Sequence, residues 1–151
     1  MSFFSKKMDY ALLVLSHLNS SSAGSSAREI AAKFSISRPF VANILKVLCH
    51  HGMLSSHRGV HGGYVLVKKA HEISLSEIMD ALEEPFFLTD CSHSSDKDNC
   101  KTSPFCTIKF GIDEVHSRIK KILSGFTLAD IVDPHRSNPG QFKLELVSSQ
   151  S

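Results

Sequence analysis

Cys91, Cys100 and Cys106 stand in a short polar stretch, with eight residues between the first two and five between the last two. Thiolates gathered in this way bind soft metals or carry redox chemistry. The N-terminal Met1–Lys7 lacks the basic, then apolar, then small-residue pattern of a secretory signal. Four cysteines in 151 residues are also too few for a disulfide scaffold. Three uses of the thiols follow from the residue types. They can ligate a metal, with His93 inside the same loop able to complete a Cys3His zinc site. Cys100 and Cys106 can form a reversible disulfide that acts as a redox switch. Or the thiols can be small buried apolar groups. That last use suits Cys49, which lies beside an apolar helical stripe, and not Cys91 and Cys100, which lie among Ser, Asp, Lys and Asn.

The chain that must position these thiols is long enough for one domain plus an accessory element. The apolar run Leu12–Leu18 is too short to cross a bilayer, and a cytoplasmic protein is expected. Net charge is only +2, so any nucleic-acid contact must come from a local basic patch. Acidic residues concentrate after Glu72, whereas Arg38, Lys46, His57 and Arg58 fall in the first half. A glycine-rich phosphate loop, a nucleophile elbow and a two-residue-spaced cysteine pair are all missing, which argues against an enzyme.

Periodicity predicts the elements. Asp9 to Leu18 reads as a helix with Tyr10, Leu13, Val14, His17 and Leu18 on one face. A Ser-rich connection containing Gly24 follows. Ser26 and Glu29 have capping-box spacing and open a short helix that turns Ile30, Ala31 and Phe34 inward. Ser35-Ile36-Ser37 is a break. Pro39 is tolerated in the first turn of the next helix, whose stripe is Val41, Ile44, Leu45 and Leu48 and whose end is marked by Gly52. Met53–Ser56 and Tyr64–Val67 read as strands joined by a glycine-rich hairpin. Ser74 with Glu77 opens a helix through Leu82, and Pro85 stops it. A long helix is predicted from Cys106 to Gly125. Its apolar seam of Ile108, Ile112, Val115, Ile119, Ile122 and Leu123 suits packing against a partner helix. Thr127–Val132 is a last short turn, and a polar, mobile tail is expected over 134–151.

The fold class expected from this order is mainly α with a small β-hairpin: a winged helix-turn-helix plus a long dimerisation helix. The domains expected are a winged unit over 1–84, a cysteine-containing loop over 85–106 and a dimerisation helix with terminal turn over 107–133. A helix starting at Arg38 is narrow enough for a DNA major groove. Its outward residues would be Ser37, Arg38, Asn43 and Lys46. Asn suits adenine and Arg suits guanine through paired hydrogen bonds. Arg58 would reach phosphate or the minor groove from the hairpin tip, where Gly59, His61 and Gly62 would allow close backbone approach. A winged helix that binds only protein is the competing reading of the same elements.

The run Ser37–Gly52, followed by Arg58-Gly59-Val60-His61-Gly62-Gly63-Tyr64-Val65-Leu66, resembles the IscR/NsrR (Rrf-two) family of bacterial winged-helix regulators. Ile73–Ile78 and Thr127–Ile131 are similar to that family's segments after the wing and after the long helix. The resemblance covers residues 5–133. It implies a homodimer joined through the 107–124 helix and control of transcription at a near-palindromic operator. It also implies an iron–sulfur cluster, 4Fe–4S or 2Fe–2S, on Cys91, Cys100 and Cys106. Three thiolates leave such a cluster one ligand short of the usual four. The histidine that IscR uses, three residues after its last cysteine, corresponds here to Lys109. Asp9, in Met8-Asp9-Tyr10, matches the N-terminal aspartate that serves NsrR from the other subunit.

Overall fold

The computed structural model describes residues 4–59, 62–89 and 105–133. Helices α1 (Lys6–Ser20), α2 (Ala27–Phe34) and α3 (Arg38–His50) come first. The antiparallel strands β1 (Leu54–His57) and β2 (Gly63–Leu66) follow, paired Leu54 to Leu66 and His57 to Gly63. A short 3-10 turn (Ala70–Glu72) leads into α4 (Leu75–Ala81). The long helix α5 (Lys109–Gly125) and the short α6 (Leu128–Val132) complete the described chain. This is a mainly helical winged helix-turn-helix with a two-stranded hairpin.

Serine starts four of these helices. Ser5, Ser26 and Ser74 accept from the backbone N–H three residues on, and Glu29 and Glu77 return a bond to the cap N–H of Ser26 and Ser74. Gly52, with φ +69, adopts the left-handed turn after α3, and the Met53 N–H donates back to Leu48. One core joins the elements. Met8, Ala11, Val14, Leu15 and Leu18 of α1 meet Ile30 of α2, Val41, Ile44, Leu45 and Leu48 of α3, and Ile78 and Leu82 of α4 with its cap.

Two helices differ from expectation. The buried face of α1 runs through Met8, Ala11, Val14, Leu15 and Leu18, so Val14 and Leu18 face inward as expected, whereas Leu13 is 41% exposed. Tyr10 and His17 flank that face and are half-buried because Phe40 and Phe34 meet them edge-on. The long helix begins at Lys109, three residues after Cys106, and Ile108 is its N-cap without a side-chain hydrogen bond. The C-terminal end of α5 is tied to the winged unit. Leu123 and Leu128 are buried, the Leu75 N–H donates to the Phe126 carbonyl, and the Leu128 N–H donates to the Ile73 carbonyl. Other apolar residues of the helix are bare: Ile108 is 67% and Phe110 86% exposed at its N-terminal end, and Val115 and Ile122 are exposed farther along.

The cap of α4 carries a pH-dependent contribution. Glu77 accepts from Lys68 Nζ at 2.8 Å and from the Ser74 N–H at 3.1 Å. The Lys68 bond foremost, with the Ser74 groups adding to it against burial, holds the Glu77 carboxyl below its ordinary 4.5. A carboxylate lowered on folding stabilises above its unfolded value, and that contribution is lost as pH falls through the folded value. The urea midpoint is therefore expected to fall on acidification from pH 6 to pH 3.5. Glu77→Gln should start lower at pH 6 and fall less. Equal falls in the two proteins would remove Glu77 from the account.

Candidate nucleic-acid interface and thiol site

Ser37 is the N-cap of α3, yet its hydroxyl makes no capping bond, in contrast to Ser5, Ser26 and Ser74. Pro39 has no N–H, and the Phe40 and Val41 N–H groups donate to the Ser37 carbonyl, so the first turn of α3 offers a hydroxyl not used in capping as its polar group for a phosphate. Ser37, Arg38, Asn43 and Lys46 are all at least partly exposed, and none belongs to the core. Asn43 and Lys46 lie on the side of α3 away from the buried Val41–Leu48 stripe, and Ser37 and Arg38 are exposed at its N-terminal end. Farther along, His50 and His51 meet edge-to-face at 5.5 Å and, with Lys7, Asn43 and Lys46, line an open groove. Cys49 is half-buried at the same place, and burial pushes its thiol above 9.0. It is a packing residue and a poor nucleophile.

The hairpin supplies the second arm. Arg58 is exposed at its tip. Gly59 has φ +135, and a Cβ on Gly62 would lie 2.5 Å from the His57 carbonyl oxygen, so the tip needs glycine at both positions. His61 lies outside the described residues. The root of the hairpin is held by a segment that reads as a loop in the sequence. Ser25 pairs with Tyr64, Tyr64 N–H donating to the Ser25 carbonyl at 2.9 Å and Ser25 N–H to the Tyr64 carbonyl at 3.1 Å. A Cβ on Gly63 would come within 2.8 Å of the Ser25 backbone.

Of the thiol site, Cys91, Cys100 and His93 lie outside the described residues. Cys106 is a half-buried free thiol just ahead of α5. Asp9 sits in the first turn of α1 with its side chain exposed. Among the described residues no cluster of three metal-ligating side chains occurs. The chain leading from α4 towards the cysteines is anchored on the long helix, for Phe86 and Phe87 stack on His116 at 5.4 and 6.0 Å. Ser5 Oγ donates to Glu84 Oε2, joining the start of α1 to that same segment. Sequence reasoning misses both the His116 contact and the Ser25 pairing. The Phe86-Phe87 pair is the only available signal for the first, and nothing local marks the second.

Residues 4–134 match the sequence profile of Rrf2, described as an iron-dependent transcriptional regulator. The chain belongs to the Rrf2 family. Rrf2 members are transcriptional regulators and not enzymes. The chain is 30% identical over 131 residues to the HTH-type transcriptional regulator NsrR of Geobacillus kaustophilus, covering 85% of this chain and 88% of that one. Two solved Rrf2-type structures share the fold. IscR of T. potens superposes with a TM-score of 0.65 at 24% identity, covering 91% of this chain and 90% of that one. CymR (YrzC), the global cysteine regulator of B. subtilis, gives 0.65 at 23% identity, covering 87% and 97%. Among the described residues no helix is long and apolar enough to cross a membrane.

Proposed function

We propose that this Rrf2 regulator is a cytoplasmic homodimeric repressor that reads a near-palindromic operator under the control of an iron–sulfur cluster. The observation that carries the DNA-reading part is the pairing of two exposed arms on one core. They are α3 with Ser37, Arg38, Asn43 and Lys46, and the wing with Arg58. Arg38 and Asn43 read base edges in the major groove, Lys46 and Ser37 contact phosphate, and Arg58 with Gly59, His61 and Gly62 follows the backbone or minor groove.

The second copy docks on α5. Its exposed Ile108, Val115 and Ile122 lie at helical spacing on a helix whose other end is fixed to the winged unit. A two-fold dimer sets the reading helices one DNA turn apart, or a multiple of it. The cluster is held by Cys91, Cys100 and Cys106, with the partner subunit's Asp9 as fourth ligand. Three thiols and an exposed carboxylate form a donor set that suits iron–sulfur ligation. Relatedness to NsrR at 30% identity supports the assignment. When bound, such a cluster supplies an electron-rich centre that reacts with nitric oxide or oxygen. The chain's own part is mechanical. Residues 85–106 connect the winged unit over 1–84 to the dimer helix over 107–133, so a change in that loop alters the spacing of the two arms.

DNA binding is tested by fluorescence anisotropy on the protein's own promoter against excess random duplex at several salt concentrations. Promoter binding that survives the competitor, with an affinity falling linearly in log salt, is the expected result. Equal competition by random duplex would leave a winged-helix protein adaptor. Metal content separates the cluster from a zinc site completed by His93 or a metal-free Cys100–Cys106 switch.

A further inference from the structure

The structure assigns His17 as the positioning residue of the wing: its neutral imidazole braces the wing root against α1 and α2, and its protonation releases that brace. The inference rests on the DNA-reading role of the wing given above.

His17 bonds through both ring nitrogens. Nδ1 lies 2.9 Å from Lys33 Nζ, and Nε2 lies 2.9 Å from Ser25 Oγ. A lysine ammonium has donors only, so Nδ1 must be the bare acceptor and Nε2 must carry the hydrogen that goes to Ser25. The bonds therefore fix both the tautomer and the charge state. Phe34 closes the site from beneath, edge-on to the imidazole at 5.9 Å and under the Lys33 ammonium at 5.7 Å. Ser25 is the residue whose backbone pairs with Tyr64 in both directions. Its hydroxyl is held by α1 while its main chain holds β2. The surrounding backbone is tight as well: a Cβ on Gly24 would lie 2.9 Å from the Tyr64 carbonyl oxygen. A shift of Ser25 thus moves the root of the hairpin that carries Arg58.

Protonating His17 removes the Nδ1 acceptor and sets two cations 2.9 Å apart. The groups facing the ring are few. From α2 come Lys33, which disfavours the proton, and Glu29, which favours it; the 21–26 loop and β2 carry no charged side chain. Burial first, then Lys33, against Glu29, hold the imidazole below its ordinary 6.5. The neutral form is the folded one, so the brace is present above that ordinary value and is lost as pH falls through the lowered value.

The test compares wild type, His17→Gln, His17→Ala and Ser25→Ala by amide exchange, normalised to intrinsic rates, and by promoter affinity between pH 8 and pH 5.5 at constant ionic strength. Glutamine can accept from Lys33 and donate to Ser25 but does not titrate. The expected result is faster exchange at Ser25 and Tyr64 in both alanine variants at pH 8, with affinity lowered about tenfold. Wild type should move towards them as pH falls, and His17→Gln should keep slow exchange and tight binding throughout. Affinities are compared with His17→Gln at each pH, so that any effect of acid outside this site cancels. Wild-type exchange in His17→Ala would overturn the brace. Faster exchange with unchanged affinity in both alanine variants would overturn its effect on the wing. If wild type itself fails to prefer its promoter, the DNA reading falls, and exchange at Ser25 and Tyr64 still decides whether the brace exists.

Discussion

An Arg38→Ala, Arg58→Ala double variant is expected to lose promoter affinity by roughly thirtyfold to twenty-thousandfold. Each arginine belongs to a different arm, α3 and the wing, and a good base or groove contact contributes about 1–3 kcal/mol. Separate arms make the losses close to additive. Both side chains are exposed and outside the core, so the thermal unfolding curve should be nearly unchanged. Lys46→Ala serves as the contrast. Deleting a phosphate-binding ammonium weakens promoter and random DNA alike and lowers the salt slope by about one. A double variant that still selects its promoter as wild type does would move the reading surface off these arms.

Cys106→Ser is expected to abolish iron retention in protein purified without oxygen, a fall of at least about tenfold against wild type. The substitution removes one of the three thiolates, the soft ligands on which iron–sulfur binding chiefly depends. The fold should survive, because Cys106 is half-buried ahead of α5 and not a member of the core. Promoter affinity in the variant should then be indifferent to nitric oxide. Asp9→Ala should act more mildly, weakening the site while three thiolates remain. Full iron and sulfide content in Cys106→Ser would place the cofactor elsewhere or remove it.

The parts of this fold that can be foreseen are those whose causes are local. Ser26 with Glu29 and Ser74 with Glu77 mark helix starts because each pair satisfies backbone groups within one turn. Gly52 marks an end because a left-handed residue is needed there. The apolar stripe of α3 is legible directly, and with it which of its residues face outward. The start of α5 is placed three residues early because Ile108, the first residue of the apolar seam, is the N-cap that accepts from the Ile112 N–H, and no capping side chain marks it as the boundary. Hydrophobic spacing also sets the face of α1 askew, because Leu13 is apolar yet exposed, and spacing alone does not say which apolar residue the core receives. His17 can be named from the sequence but not its task. Its partners lie eight and sixteen residues away across two elements, and polar contacts between elements leave no period in a sequence.

The most direct measurement takes anaerobically purified protein, determines iron and acid-labile sulfide, and follows promoter affinity before and after nitric oxide at fixed salt. The prediction is iron and sulfide bound together, with zinc at trace level, and a promoter affinity that falls when nitric oxide destroys the visible absorbance. Colourless, iron-free protein that binds its promoter with the same affinity under both conditions would contradict it.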